Sequence, residues 1–309
     1  MELRIFVEPQ FGATYAQQLA MAQTAEAQGF GAFFRSDHYL TMGGDGLPGP
    51  TDTWLTLGAI ARETSTIRLG TLMCSATFRL PGPLAVQVAQ ADEMSRGRVE
   101  LGIGAGWFAD EHTAYGIPFP TTKQRFQMLE EQLQIITGLW RTPAGSDFTY
   151  EGEHYSLVGS PALPKPIQPG GPPVLIGGFG PKTTPRLAAQ HAAEFNVPFA
   201  KVADFTDQRQ RVRDACLAVD RDPDDMIFSV ALTVICGEND EEVQRRAGHV
   251  GQDTGHLEEH GLVGSPSDVL DRLATYAEAG AERVYLQVLD LDDLDHVNLL
   301  GERVRTLLP

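Results

Sequence analysis

Three short stretches carry residues whose types and spacing suit chemistry. The first closes the run "GFGAFFRSDHYL" (29–40), where Phe30, Phe33 and Phe34 give apolar filling before Arg35, Ser36, Asp37 and His38 turn the chain polar. An imidazole with an ordinary pKa near ~6.5 gives or takes a proton at neutral pH. A carboxylate beside it can fix the ring, or can accept from a backbone donor itself. The plainer alternative is a loop in which Asp37 is a cap and His38 a satisfied surface residue. The second stretch is "GIGAGW" (102–107). Its G-x-G-x-G spacing is not the dinucleotide fingerprint, but such glycines let a flat ligand approach the backbone, with Trp107 as a wall. Close packing alone would also use them. The third, "IGGFGPKTTPRL" (176–187), joins a strand to a helix through Gly177, Gly178 and Gly180. Backbone N–H groups at such a helix start hold phosphate, and Lys182 and Thr183 add donors. Pro181 ahead of Lys182 and the missing upstream spacing separate it from a P-loop; an ordinary tight turn is the competing reading.

Other chemistries lack their residues. There is no H-E-x-x-H: "DEHTAYG" offers one histidine, and the rest are scattered, so no metal site is expected. No G-x-S-x-G elbow is present, which disfavours a serine hydrolase.

The elements that must position these groups alternate along the chain. Strand-like segments fall at 3–9, 29–40, 67–75, 98–106, 172–178, 194–200, 226–237 and 283–289. Helix-like segments fall at 15–29, 52–65, 83–95, 122–140, 182–192, 204–220 and 265–280, with helical pieces and a mobile glycine-rich part over 240–262 and a further helix after the last strand. Asp52 is placed to cap its helix, and Ser265, Pro266 and Asp268 stand in the order of a helix start. Continuous apolar strands separated by helices imply a parallel sheet covered on its outside. Eight units close as a (β/α)8 TIM barrel of the α/β class, one domain over 1–309, with an inserted segment at about 141–172 that is rich in glycine, proline and polar residues. An open doubly wound sheet is the runner-up, but "VEPQFGATY" after the first strand has only one glycine. In a barrel the strand C-termini build the active face. The polar groups there are Glu8, Gln10, Asp37, His38, Cys74, Ser75, Trp107 and Glu111, then Gly177 to Thr183, Asn196 and Gln287.

Composition bounds the partners. A net charge of −17 over 309 residues repels nucleic acid and anionic membrane at long range. No apolar run approaches the ~18 residues of a membrane span, and "MELRIFVEPQ" does not read as a signal peptide. Three cysteines without metal or redox spacing suit a reduced cytoplasm.

Over nearly its whole length the chain resembles the bacterial luciferase-like flavin and deazaflavin oxidoreductases. The residues that carry this are "GFGAFFRSDHY", "IRLGTLMCSATFRLPGPLAVQVAQADEMSRGRVELGIGAGW", "EHTAYGIPFP", "VLIGGFGPKTTPRLAAQHAAEFN" and "GSPSDVLDRLATYAEAGAERVYLQV". Within that family it is most similar to the branch that uses the deazaflavin coenzyme F420. The resemblance implies a barrel with an insertion, a homodimer, and an isoalloxazine-type ring over the strand ends. Asp37 and His38 would face the ring, with His38 as acid or base. Leu72 and Met73 would form a supporting bulge with a non-proline cis peptide there, give or take a residue. Ala105, Gly106 and Trp107 would line the ring, and Gly177, Gly178, Phe179 and Gly180 would hold the cofactor phosphate. One departure bears on substrate. In the related sugar-phosphate dehydrogenases a glutamate that acts as an acid stands where this chain has Trp107. Lys201 matches a lysine those enzymes use for substrate phosphate, but tryptophan implies an apolar or aromatic wall. The expectation is an F420-dependent oxidoreductase acting on a small organic molecule. The alternatives are an FMN-dependent two-component monooxygenase and a non-catalytic flavin-binding relative.

Overall fold

The computed structural model describes residues 1–251, 255, 257 and 260–307. Eight parallel strands form the barrel, numbered here in chain order: β1 (Glu2–Val7), β2 (Ala32–Arg35), β3 (Arg68–Thr71), β4 (Val99–Gly104), β5 (Val174–Gly177), β6 (Glu194–Pro198), β7 (Ile227–Cys236) and β8 (Arg283–Val288). Each pairs with the next, and β8 closes on β1 from Glu2 opposite Arg283 to Val7 opposite Val288.

Alternation along the strands sorts the residues into two apolar bodies. Leu3, Ile5 and Val7 join the large core between strands and helices, whereas Phe6 packs with Ala32, Phe34, Leu72, Leu175, Ala231 and Tyr285 in the bore. Glycine admits the tightest approach within the wall: a Cβ on Gly102 would lie 1.9 Å from the Thr71 carbonyl oxygen. The helix starts follow from local chemistry. Asp52 accepts from the Leu55 N–H at 2.9 Å, and Thr121 and Ser265 each head a reciprocal capping box.

At the N-terminal end of the strands the bore is charged. Arg4, fully buried, donates to Glu100 at 2.8 Å and to the Tyr285 hydroxyl at 3.0 Å. Arg68 pairs with Glu100 and Arg283 with Glu194.

Some expectations change in detail. The third strand splits at the cis peptide Leu72–Met73, and Cys74–Ser75 resumes pairing with β4. The insertion is a two-stranded hairpin, Phe148–Glu151 with Ser156–Ser160. A short helix, Ala109–Ala114, stands where none was expected. The reading of 240–262 falls partly outside the described residues; Asp240–His249 is helical, but Gly261–Gly264 is a strand beside β7 rather than a helical piece.

Candidate active site

The strand C-termini gather the expected polar residues, and the short helix supplies the partner of His38. The His38 Nδ1 lies 3.0 and 3.1 Å from the two Glu111 carboxylate oxygens, and the Tyr39 N–H donates to the same carboxylate at 3.1 Å. A carboxylate only accepts, so Nδ1 carries a hydrogen and Nε2 is the position that gains or loses a proton. Nε2 makes no hydrogen bond with the described residues. Burial disfavours the charge on His38, but the hydrogen bond and charge of Glu111 outweigh it. With Glu8 and Asp37 adding to the effect, the pKa is raised above its ordinary value. Trp107 sets its ring edge-on to the imidazole at 6.0 Å and stacks on Phe108 at 5.3 Å.

Asp37 requires a correction. It neither fixes the imidazole nor caps the backbone; its carboxylate is taken by Arg79 through both guanidinium NH2 groups, one of them at 3.2 Å. Arg79 also reaches the Tyr39 hydroxyl at 3.1 Å and Asp52 at 2.9 Å, which ties the loop after β2 to the segment after Cys74–Ser75. Burial works against the Asp37 charge, yet the Arg79 guanidinium outweighs it and holds the pKa below the ordinary carboxylate value. A buried, paired carboxylate of this kind positions; it does not move protons.

Glu8 ends β1 on the inward side. Gln287 donates to it at 2.9 Å, Gln10 donates to its other oxygen, and Ser36 donates to Gln10 at 2.6 Å. Among the described residues no cation is bonded to it. Burial pushes its pKa up against these amides and the His38 charge. A cavity of about 850 Å³ opens above it, walled by Phe11, Met42, Phe199, Gln287 and Leu291. Neither His38 nor the 177–180 turn lines that cavity, which lies on the β8–β1 side of the mouth.

The remaining expected site residues stand at the same end of the barrel. Met73 lies over the glycines that end β4 and β5: its Sδ is 2.9 Å from where a Cβ on Gly104 would sit, and its Cε 3.0 Å from that on Gly177. Leu72 is buried in the bore cluster beneath it. Ala105 and Gly106 are half-buried, while Trp107, Phe179 and Lys182 are exposed. Gly178 has φ +125°, open to glycine, and nothing lies within 4 Å of its Cβ position. Gly180 lies just beyond, against Thr184. The helix Thr183–His191 that follows has no side-chain cap at Lys182, so its first N–H groups face outward unclaimed by one. Open at Gly178 and closely packed at Gly177 and Gly180, the turn with its uncapped helix start has the donor chemistry that suits a phosphate. Lys201 stands exposed ahead of the helix Val202–Leu217 and does not line the cavity.

Arg79 was missed by sequence reading, and Glu111 was noted at a strand end without its partner. A sequence signal for Glu111 existed in Asp110-Glu111, two acids in a first helical turn. Its orientation rests on His112 beside it, buried, with Nδ1 donating to the Phe108 carbonyl at 2.7 Å and Nε2 meeting Thr77 at 2.6 Å.

The luciferase-like monooxygenase family description matches residues 1–256. An uncharacterized protein of Mycobacterium tuberculosis is 34% identical over 188 residues, which is 56% of this chain and 64% of that one. An F420-dependent glucose-6-phosphate dehydrogenase of Microbacterium testaceum is 38% identical over 185 residues, 59% of this chain and 52% of the relative. The match thus spans between half and two thirds of these relatives' length. Among solved structures, an F420-dependent secondary alcohol dehydrogenase bound to an F420–acetone adduct superposes over 100% of this chain and 99% of its own, with a TM-score of 0.85 and 18% identity.

Proposed function

Since this chain belongs to the luciferase-like monooxygenase family, we propose that it is an F420-dependent oxidoreductase acting on a small organic substrate. The observation that carries the reading is the His38–Glu111 pair at the barrel mouth, with Nε2 left for a ligand. The relatives named for F420 support the cofactor, as does the open Gly178 position in the 177–180 turn.

Gly177, Gly178, Phe179 and Gly180 with Lys182 and the uncapped helix start would hold the cofactor phosphate. Leu72, Met73, Ala105, Gly106 and Trp107 would support and wall the ring. When bound, the deazaflavin supplies a site that accepts or gives a hydride at C5, and the protein supplies position and electrostatics. His38 takes a proton from the substrate on Nε2 in the oxidative direction and returns it in the reductive one. Glu111 holds Nδ1–H toward itself throughout, which keeps Nε2 as the working nitrogen. Asp37, through Arg79, keeps the loop that carries His38 in place. The same reading has the enzyme work in the cytoplasm as a homodimer. Exposed Leu55, Leu80 and Val86 around the packed helices Thr53–Glu63 and Pro81–Ser95 support the latter, and no helix among the described residues is long and apolar enough to cross a membrane.

Fluorescence quenching on titration with F420 and with FMN tests the cofactor: tighter binding of F420 is expected. Tighter FMN binding followed by oxygen uptake assigns the monooxygenase reading instead, and tight binding without turnover of any substrate assigns a binding protein. On a substrate that turns over, His38→Ala at saturating cofactor is expected to lower turnover by about a hundredfold or more with little change in cofactor affinity. Unchanged turnover removes His38 from the mechanism.

A further inference from the structure

The cavity on the β8–β1 side has a wall of unusual charge. Among the described residues that line it there is no lysine or arginine, while Glu8, Asp290 and Asp292 contribute carboxylates. His249 also lines it and faces Asp290 at 3.3 Å, so one of these carboxylates has an imidazole beside it. Lys201 follows the lining Phe199 by two residues but is not itself among the lining residues. The sequence has neither lysine nor arginine from 5 to 34, from 36 to 61, from 247 to 271 or from 284 to 302. The flanking arginines are committed elsewhere. Arg35 is fully buried and donates to Gln18 at 2.9 Å and Thr51 at 2.7 Å. Arg246 is buried, paired with Asp293 at 2.8 Å and with the Cys236 carbonyl at 2.6 Å. The neighbouring Arg245 faces Asp293 at 3.6 Å.

The polar side chains Gln17, His249 and Gln287 on the wall are turned to Asp292, Asp290 and Glu8, and much of the remaining surface is apolar. Phe11, Met42 and Phe199 are 42, 42 and 37% exposed, and Leu289 and Leu291 complete the surface. At about 850 Å³ the cavity has the size of a small-molecule site. An anion placed there meets carboxylates at close range in a cleft that focuses their field. An apolar body meets aromatic and aliphatic surface.

We propose that this cavity is the substrate site and that it takes an uncharged or cationic molecule with an apolar body, its hydroxyl or amino group turned toward Glu8, and excludes anions such as sugar phosphates. This rests on the proposed function in one respect: the glycine turn and the Trp107 side of the mouth are assigned to the cofactor, which leaves the β8–β1 side to substrate. The raised pKa of Glu8 agrees with it, since a protonated carboxyl donates to a ligand oxygen and an ionised one accepts from an amine.

Three probes of matched shape test this: cyclohexylmethylamine, cyclohexylmethanol and cyclohexanecarboxylate, bound to the full chain with and without F420 and followed by saturation-transfer NMR. The amine and the alcohol are expected to bind at least about tenfold tighter than the carboxylate. A gain-of-function variant locates the effect. Gly43 lines the cavity, its φ is not positive, and nothing lies within 4 Å of its Cβ position, so Gly43→Arg adds a guanidinium without strain. It is expected to strengthen carboxylate binding by about tenfold and weaken the amine. Equal or tighter carboxylate binding in the unmodified chain, absence of binding by all three probes, or an unchanged order in Gly43→Arg overturns the proposal. Failure of F420 to bind, with the probe order intact, sinks the cofactor reading and leaves the charge preference of the cavity standing.

Discussion

The bore of the barrel is charged at both ends, and the two ends handle their carboxylates differently. At the N-terminal end Glu2, Glu100 and Glu194 meet Arg4, Arg68 and Arg283, one cation for each anion. Burial opposes the Glu100 charge, but Arg4 and the other arginines hold its pKa low; Glu194, sharing Arg4 with Glu100, is pushed up by burial and by that neighbour. At the C-terminal mouth Asp37 has Arg79 and Glu111 has His38, whereas Glu8 is bonded, among the described residues, to amides rather than a cation. One end is neutralised and serves the fold. The other keeps one titratable base, held by Glu111, and one carboxyl with amide partners, whose burial costs stability unless it serves a ligand. The same strand, β1, delivers Arg4 to the first and Glu8 to the second.

The largest expected effect belongs to the neutralised end. Arg4→Met leaves Glu100 and Glu194 buried without their shared guanidinium, and stability should fall by about 3–5 kcal/mol. Urea unfolding followed by circular dichroism measures it, and a loss under ~1 kcal/mol would erase the contrast between the ends. Asp37→Asn comes next, at about 2 kcal/mol, because Arg79 loses a charged partner but keeps Asp52. The pH dependence has a definite sign. The folded pKa of Asp37 is lowered, so its contribution is present above the unfolded value near ~3.9 and is lost as pH falls through the folded one. The variant should therefore lose less stability than the wild type on acidification below about pH 4.

How far these ends are legible in sequence differs as well. The (β/α)8 order and the helix starts at Asp52 and Ser265 follow from patterns a few residues long. The strand-end rule brings Glu8, His38, Glu111 and Gln287 to one mouth without coordinates. Which of them touch is another matter. Glu111 lies 73 residues from His38, Arg79 lies 42 from Asp37, and Glu100 lies 96 from Arg4. Pairings of that range depend on strand register and side-chain direction, which no local pattern encodes. Adjacency misled for this reason: Asp37 is next to His38 in sequence, yet successive residues of an extended segment point apart. The helix Ala109–Ala114 has six residues, too few to show an apolar period.

At the mouth, Glu111→Gln isolates the contribution to His38. With the carboxylate gone, burial is opposed only by Glu8 and Asp37, and the imidazole pKa should drop. Nitrogen-detected NMR titration of the ring reads it directly. The raised folded pKa contributes stability that is fully present below ~6.5 and lost as pH rises through the folded value, so the variant should show a flatter stability profile there. An unmoved titration would assign the raised pKa to other groups.

The smallest effect is expected where the carboxyl has no cation. Glu8→Gln keeps the shape of the side chain, and two of its contacts can rearrange at little expense. The Gln10 amide turns over and the Ser36 hydroxyl rotates to accept instead of donate, since both groups have donor and acceptor faces. Gln287 continues to donate to the remaining oxygen. Stability near neutral pH should therefore stay within about 1 kcal/mol of wild type. The sign of its pH dependence is opposite to that of Asp37. The folded pKa of Glu8 is raised, so the wild type loses stability as pH climbs from the unfolded value near ~4.3 through the folded one, and the glutamine variant does not. Unfolding measured from pH 4 to 8 should show the two curves separating in the variant's favour as pH rises. Curves that separate the other way would mean that Glu8 is held ionised by a cation, and the mouth would then resemble the neutralised end.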